Sequence, residues 1–155
     1  MALHCTTMTI DDVDAEFTAQ FAQRFADTWR TPDLAKHEAL WSDDIVLVQP
    51  MMGTLRGKRA CRSAFQRLFA LIPDLHADVH TIGHGQAEVF IEFTLSGTYG
   101  GKPIAWGAVD RFAFTDGLIA ERVSYFNAVP LVLTLIRRPR GWGRLTRAGA
   151  TLFRR

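Results

Sequence analysis

The sequence predicts an α+β fold in which helices pack inside a curled, mostly antiparallel sheet. Three observations predict it. Helical periodicity is concentrated before residue 73, whereas strand-like alternation fills most of the chain between residues 76 and 126. The strand-like segments are separated by Gly-Gly and Asp-Gly turns, which are typical of hairpins. Helices and strands both carry aromatic stripes, so the sheet must curl around the helices to bury the two together.

The first predicted helix has one aromatic face. Phe17, Phe21, Phe25 and Trp29 recur every four residues, which places them on the same side of a helix. The segment 9–12, Thr-Ile-Asp-Asp, resembles a helix start because it combines a hydroxyl cap with early acidic residues. This face is expected to form most of its contacts in the core, with its last turn reaching a pocket.

Two further helices and a first strand follow. Thr-Pro-Asp at 31–33 ends the first helix and caps a short second helix, predicted to run through Trp41. The β-branched run 45–49 predicts a strand, and two glycines bracket a predicted loop at 53–57. The third helix is predicted over 58–72, where apolar residues have helical spacing and a proline follows.

A meander of four strands completes the predicted sheet. The strands are predicted at 76–82, 87–99, 104–114 and 118–126. After them, the apolar spacing at 131–136 predicts a short helix that closes the open end of the fold.

Length and charge predict one domain and a basic tail. The 155 residues are enough for a single well-packed domain, assigned to residues 1–138, and residues 139–155 form the tail. Seven of the 18 Lys and Arg residues occur from residue 137 onward, where no acidic residue is found. The remaining 11 basic residues are outnumbered by 16 acidic ones, so the body is mildly acidic.

The tail mixes arginine with Trp142, Leu152 and Phe153, a composition that suits anionic lipid or nucleic acid. Packing on the body or on a second subunit is the favoured interpretation, because three glycines weaken a continuous helix. Nucleic acid is therefore not a favoured partner, and membrane contact by the tail is the weakest hypothesis. Fewer core contacts are expected beyond Arg138, because Pro139, Gly141 and Gly143 interrupt regular structure, and deleting residues 140–155 is expected to leave the fold intact.

Other features predict a cytoplasmic protein without a cofactor. No apolar run is long enough to span a bilayer, and the N-terminus lacks the basic start of a signal peptide. Two cysteines, Cys5 and Cys61, are too few for a disulfide framework. On a strand, His76, His80 and His84 are separated by steps of about 13 Å, too far apart to share a metal ion. No metal and no other cofactor are expected.

Asp110 is the leading candidate for chemistry. In a strand over 104–114, Trp106, Asp110 and Phe112 share one face, which is apolar except for this carboxylate. Burying a lone carboxylate is very costly, so the charge needs partners or the acid must stay neutral. An acid in an apolar setting is a leading candidate for chemistry. Three interpretations stay open: a general acid, base or oxyanion donor; a structural partner of Arg122; or a side chain turned toward solvent.

The order of elements and three segments resemble the nuclear transport factor 2-like superfamily. The segments are Leu-Trp-Ser-Asp-Asp at 40–44, Gly-x3-Gly at 53–57 and Asp-x-Phe-x-Phe-x-Asp-Gly at 110–117. The nearest branches look like ketosteroid isomerases, SnoaL-like polyketide cyclases and limonene epoxide hydrolases, and the likeness covers about residues 17–132. The resemblance implies a cone-shaped fold with three N-terminal helices, which hosts many chemistries and some non-enzymes.

The resemblance also assigns roles to individual positions. Asp110 falls where the isomerases place their oxyanion-hole aspartic acid, Gln49 where they place the general base, and Phe25 where they place a tyrosine. Glutamine cannot shuttle a proton as a carboxylate does, and phenylalanine has no hydroxyl, so the familiar steroid isomerisation is not expected. The epoxide hydrolase triad is missing as well, because its positions fall at Phe93, Leu95 and Ser124.

We therefore expect a domain that binds a small, largely apolar molecule bearing a carbonyl or hydroxyl group, such as a steroid, terpenoid or polyketide. Asp110 favours an enzyme that performs proton transfer or cyclisation beside a carbonyl. Gln49 and Phe25 favour the rival, a non-catalytic binding or scaffold protein that has lost its general base. The residues expected to contact the ligand are Phe25, Trp29, Gln49, Phe93, Trp106, Arg122 and Ser124.

A homodimer is the expected assembly. The resemblance implies it, and an aromatic-rich curled sheet rarely leaves its outer face fully solvated. Val109, Val123 and Tyr125 alternate with the pocket-facing residues, so they are the predicted contacts.

Overall fold

The computed structural model describes residues 13–147, and six strands within them form one sheet. The strands are β1 (Trp41–Gln49), β2 (Gly53–Arg56), β3 (His76–His84), β4 (Glu88–Tyr99), β5 (Lys102–Thr115) and β6 (Leu118–Tyr125). Their order across the sheet is β2-β1-β6-β5-β4-β3. Strands β1 and β6 pair in parallel, and the other neighbouring pairs are antiparallel. The predicted α+β fold, with a curled and mostly antiparallel sheet, is confirmed.

Helices cover the inner face of this sheet and its open end. They are α1 (Ala15–Thr28), α2 (Leu34–Glu38), α3 (Lys58–Leu71), α4 (Ala128–Ile136) and α5 (Trp142–Arg147), with a 3-10 turn at Pro139–Gly141. Within residues 13–147, no helix is both long and apolar enough to cross a membrane.

The core lies between the aromatic face of α1 and the inward side chains of the sheet. The ring centroids of Phe21 and Phe112 are 4.9 Å apart in an edge-to-face arrangement. In β4, Val89, Ile91 and Phe93 alternate inward and are almost fully buried. Each such side chain contributes about 1.5–3 kcal/mol by leaving water, so the aromatic stripe fixes which face of the sheet is inside.

The ends of the first two helices differ from the predictions. Helix α1 begins at Ala15, where the Phe17 amide donates to the Asp14 carboxylate at 2.7 Å; the predicted start at 9–12 lies outside the described residues. Helix α2 ends at Glu38, so its predicted extension through Trp41 is wrong. Trp41 pairs instead with Ile119 of β6, and this long-range pairing holds it in extended conformation.

Three other boundaries also move because of pairing or capping. The predicted loop at 53–57 is mostly strand β2, whose residues pair with the end of β1. Strand β3 continues to His84, because its last residues pair with the start of β4. Helix α4 begins at Ala128, earlier than predicted, since the Asn127 side chain accepts a hydrogen bond from the Val129 amide at 3.1 Å.

The described part of the basic tail contacts the body. Gly141 is buried so closely against Tyr99 that a Cβ atom would lie 2.2 Å from the ring, and Leu145 packs against the core. The guanidinium of Arg138 donates to three backbone carbonyls, those of Tyr99, Lys102 and Pro103. Gly141 is nevertheless the one buried residue among residues 139–147, so contacts with the core are fewer beyond Arg138, as expected, and the domain boundary itself stays a prediction.

Candidate functional site

A cavity of about 360 Å³ lies between the inner face of the sheet, α3 and α4. Pockets for small ligands typically have volumes of about 300–1,000 Å³ and mostly apolar walls. The apolar part of this wall includes Phe65, Leu68, Leu71, Phe93, Leu131 and Leu135. Its size and lining therefore suit a small, largely apolar molecule.

The structure places most of the predicted site residues on the wall of this cavity. They are Trp29, Gln49, Phe93, Trp106, Asp110, Arg122 and Ser124. Phe25 does not line it, so its predicted place at the pocket is wrong. The ring of Phe25 packs against Phe93 and Phe112 in the core, at centroid distances of 5.3 and 5.4 Å. Of the predicted aromatic stripe, only Trp29, the residue that caps the C-terminus of α1, lines the cavity.

Asp110 and Arg122 form a buried ion pair at the cavity wall. Asp110 on β5 lies directly opposite Ser124 on β6, and the inward alternation of β6 brings Arg122 to the same face. The Arg122 Nε atom donates to Asp110 Oδ2 at 2.5 Å, and the Asp110 side chain is fully buried. The interpretation in which Asp110 faces solvent is therefore wrong.

Aromatic rings surround the guanidinium of Arg122. Its Cζ atom lies 5.7–5.9 Å from four ring centroids, those of Phe25, Trp29, Phe65 and Phe112. This distance is within the range of attractive cation–π contacts, which help a charge to be tolerated in an apolar site. Within residues 13–147, only Nε has a hydrogen-bond acceptor, so the two terminal nitrogens of Arg122 remain donors for a ligand.

Two more polar atoms of the site have no partner among the described residues. Asp110 Oδ1 and Ser124 Oγ are both buried without a hydrogen bond of acceptable geometry. Such an atom costs about 1–3 kcal/mol when it stays unsatisfied. Because both residues line a cavity, a bound molecule that accepts or donates hydrogen bonds would satisfy them.

Burial raises the pKa of Asp110 above its ordinary value. The Arg122 guanidinium and the nearby Ser124 hydroxyl oppose this rise without cancelling it. A carboxyl group with a raised pKa exchanges protons more readily near neutral pH than an ordinary aspartate does. The site therefore combines a carboxyl group of raised pKa with the hydrogen-bond donors of Arg122 and Ser124.

Gln49 lies at the end of β1, close to the β1–β2 turn. Its amide nitrogen contacts the sulfur of Met52 at 2.7 Å, and Met51, Met52 and Gln49 all line the cavity. A thioether is a weak acceptor, so the amide is available to exchange this contact for one with a ligand.

Among the residues that the structure describes, no histidine or cysteine lines the cavity. Within residues 13–147, no group of three or more His, Cys, Asp or Glu side chains is arranged to hold a metal ion. His80 Nε2 lies 2.8 Å from the Thr94 hydroxyl. Cys61 is a free, buried cysteine, and burial raises the pKa of its thiol, which disfavours the nucleophilic thiolate.

Residues 22–122 match the SnoaL-like domain family, which is more than half of the 155-residue chain. The chain belongs to this family. The matched region ends at Arg122 and includes Asp110, so both members of the buried ion pair lie within the SnoaL-like domain. No curated protein matches the chain.

Solved structures support the same fold. A protein with a ketosteroid isomerase-like fold from Catenulispora acidiphila, in complex with trimethylamine, has a TM-score of 0.69 and 20% identity, covering 81% of this chain and 98% of its own. A Jannaschia sp. CCS1 protein classed as a SnoaL-like polyketide cyclase has a TM-score of 0.68 and 15% identity, covering 84% and 96%. An LEH-like epoxide hydrolase from M. tuberculosis has a TM-score of 0.65 and 21% identity, covering 79% and 92%. At these identities the likeness establishes the nuclear transport factor 2-like fold and leaves the chemistry open.

Sequence reasoning missed one charged residue of the SnoaL-like cavity. Arg67 on α3 lines it together with Phe65 and Leu68. The available signal was its position between these two apolar residues of the α3 stripe. Met51 and Met52 were missed as well: they lie between β1 and β2, outside every predicted element.

Proposed function

We propose that this SnoaL-like domain binds a small, largely apolar molecule bearing a carbonyl or hydroxyl group and catalyses proton transfer or cyclisation beside the carbonyl. The observation that carries the proposal is the pair of unpartnered atoms, Asp110 Oδ1 and Ser124 Oγ, on the wall of an apolar cavity. A ligand carbonyl or hydroxyl is the group that would satisfy them.

The proposed reaction begins when the substrate binds with its carbonyl oxygen at the polar end of the cavity. A terminal nitrogen of Arg122 and the Ser124 hydroxyl donate hydrogen bonds to the carbonyl oxygen. Asp110 Oδ1 removes a proton from the adjacent carbon, and the electron pair moves onto the oxygen as an enolate. Arg122 stabilises this developing negative charge inside a site of low dielectric constant, where such an interaction is strong.

The fate of the enolate decides the product. Return of the proton from Asp110 to a different carbon of a conjugated enolate gives an isomer. Attack of the enolate carbon on a second carbonyl of the same molecule forms a carbon–carbon bond and closes a ring, and Asp110 then returns its proton to the new alkoxide. In both routes the carboxyl group is regenerated as a carboxylate, so no oxidant or reductant is consumed.

The test is exchange of α-protons in heavy water, followed by NMR on a panel of apolar ketones. Asp110→Asn should lower the exchange rate by at least about tenfold, since general acid–base groups contribute about 10²–10⁴-fold. Ser124→Ala leaves the ion pair intact and should give a smaller loss. Asp116→Asn, at an exposed turn, is the matched control and should have no effect. Unchanged exchange in Asp110→Asn would show that the acid is structural.

Simple 3-keto-Δ5 steroids should be poor substrates. The residues at the two other isomerase positions are Gln49, which contacts Met52, and Phe25, which lies in the core. Neither supplies a carboxylate base or a hydroxyl donor. Isomerase-like turnover on such a steroid would contradict this expectation.

The same observations favour one rival function, a binding or scaffold protein without catalysis. Gln49 replaces a carboxylate, and Arg122 occupies one oxygen of Asp110. The rival predicts that apolar ketones bind but exchange their protons no faster than in buffer. In that case, the only effect of Asp110→Asn is weaker binding. The exchange experiment therefore separates the two functions.

We also propose a homodimer formed by the outer face of the sheet. Val109 and Tyr125 are 38% and 54% exposed there, and their positions are paired across β5 and β6. Light scattering after size-exclusion chromatography should give twice the 17.4 kDa monomer mass, and Tyr125→Lys should weaken the dimer. A wild-type monomer across micromolar concentrations would contradict the proposal.

We also propose that the protein is located in the cytoplasm. It rests on the small number of cysteines and on Cys61, which is buried as a free thiol. Recovery of the protein in the secreted fraction of its native cell would contradict it.

A further inference from the structure

Arg67 adds a second basic group to the cavity. It lies on α3 between Phe65 and Leu68, two residues whose side chains form part of the apolar wall. Arg67 is exposed, in contrast to the buried Arg122, so it belongs to the part of the cavity wall that is nearer to solvent. The cavity thus has a polar inner end and a charged outer end.

The guanidinium of Arg67 has no counterion within residues 13–147. The neighbouring Arg62 on the same helix forms a two-point ion pair with Glu38, through Nε at 2.5 Å and Nη2 at 2.8 Å. No corresponding ion pair or hydrogen bond is formed by the side chain of Arg67 among the described residues. Its donors are therefore available to a group that enters the cavity.

The charges lining the cavity also favour an anion. Asp110, Arg122 and Arg67 are the acidic and basic side chains on its described wall. Asp110 and Arg122 pair with each other, so their charges largely cancel. The charge of Arg67 is left uncompensated, which gives the cavity a net positive potential at its outer end.

Building on the proposed function, we infer that the ligand is an amphipathic carboxylic acid that binds lengthwise in the cavity. Its carboxylate pairs with Arg67 at the outer end, in the two-point geometry that a guanidinium offers. Its apolar body contacts the wall between α3 and the sheet. Its carbonyl or hydroxyl group reaches Asp110, Arg122 and Ser124 at the inner end.

The experiment compares two fluorescent probes that differ in this acidic group. Pyrenebutyric acid and pyrenebutanol share the same aromatic body and chain, but only the first is an anion. Both are titrated into the full-length protein, into Arg67→Gln and into Arg59→Gln. Arg59 is an exposed arginine of the same helix that does not line the cavity, so it controls for general surface charge.

The expected result is selective. Arg67→Gln should lower the affinity for pyrenebutyric acid by about tenfold, in the range of hydrogen bonds to charged groups. It should change the affinity for pyrenebutanol by less than about twofold. Arg59→Gln should change neither. Raising the salt concentration should weaken the binding of pyrenebutyric acid to the wild-type protein, because salt screens the ion pair at the outer end. Salt should have less effect on its binding to Arg67→Gln.

Two other results would overturn the inference in distinguishable ways. If Arg67→Gln weakens both probes equally or neither, Arg67 does not recognise the acidic group, whereas the proposed function stands. If neither probe binds the wild-type protein, the cavity does not accept apolar molecules of this kind, and the proposed function fails together with the inference.

Discussion

Adjacent residues of strand β5, Asp110 and Arg111, form ion pairs on opposite faces of the sheet. Asp110 points inward and pairs with Arg122, whose side chains are 0% and 6% exposed. Arg111 points outward and pairs with Glu88 and Glu121, in a cluster whose side chains are 28%, 34% and 41% exposed. The same strand therefore places one type of ion pair in the protein interior and the same type at the water-exposed surface.

The difference lies in what each pair does for the molecule. The outer pairs are screened by water, and exposed ion pairs of this kind contribute about 0–1 kcal/mol. The inner pair loses hydration on both members, so its net contribution to stability is small or negative compared with an apolar replacement. The proposed function gives this pair a role at the cavity wall that its contribution to stability does not supply.

Breaking the inner pair should have the largest effect. Asp110→Asn leaves the charge of Arg122 buried without a counterion, which should lower the free energy of unfolding by about 3 kcal/mol. Glu121→Gln, on the outer face, should lower it by less than about 1 kcal/mol. Urea denaturation of the wild type and the two variants measures these free energies of unfolding.

A double variant sharpens the comparison between the inner and the outer ion pairs. Replacing both members with apolar residues, Asp110→Leu with Arg122→Met, should restore most of the stability lost in Asp110→Asn, because no uncompensated charge remains. Equal losses in Asp110→Asn and Glu121→Gln would show that the cavity solvates Arg122 as well as bulk water does.

Acid should reveal the next largest contrast, between buried and exposed histidines. His37 is 3% exposed and packs against Trp29 and Phe65. Burial, helped by the charge of Arg122, lowers the pKa of His37 from 6.5 to about 3. The folded protein thus disfavours protonated His37, and the stability present above pH 6.5 is lost as the pH falls toward 3.

Between pH 7 and pH 4 this linkage should cost about 3 kcal/mol, because each unit of pKa difference corresponds to about 1.4 kcal/mol. His37→Phe cannot be protonated, so it should reduce the loss of stability over this pH range. His80→Phe, at an exposed position, serves as the control and should keep the wild-type pH dependence. An unchanged pH dependence in His37→Phe would contradict the assignment.

Two glycines of the tail give the smallest contrast. Gly141 is buried against Tyr99, whereas a Cβ atom at Gly143 would meet nothing within 4 Å. Gly141→Ala should therefore lower the stability by about 1–3 kcal/mol through overpacking. Gly143→Ala, in helix α5, should raise it by up to about 1 kcal/mol. Thermal melts that show no loss for Gly141→Ala would mean that the tail separates from the body at little cost.

The inward position of Asp110 was predictable from the sequence, because the period of two in β5 puts it on the face of Phe112. The aromatic face of α1 was predictable from an equally local pattern, the recurrence of aromatic residues every four positions. The sequence leaves the ion pair with Arg122 as one of three interpretations, because the pairing depends on the register between β5 and β6, which shifts between Ala113 and Phe114. A register of this kind depends on contacts that are distant in sequence.

Other parts of the site could not be predicted for similar reasons. Strand β2 forms because β1 is beside it, whereas its own residues favour a turn. Phe25 has the same helical spacing as Trp29, and only the three-dimensional packing separates the core residue from the cavity residue.

The parallel pairing of β1 with β6 has a consequence for the order of folding. It joins Trp41 to Ile119, so it closes a long loop, whereas the β3–β6 meander forms through hairpins between neighbouring strands. Closing a long loop carries a larger entropic penalty, so we expect the meander to form first and β1 to dock late. Ile45→Val and Leu47→Ala in β1 should then accelerate unfolding more than they slow folding. Gln49 lies on the late strand and Asp110 on the early one, so the binding site would be completed only in the final step of folding.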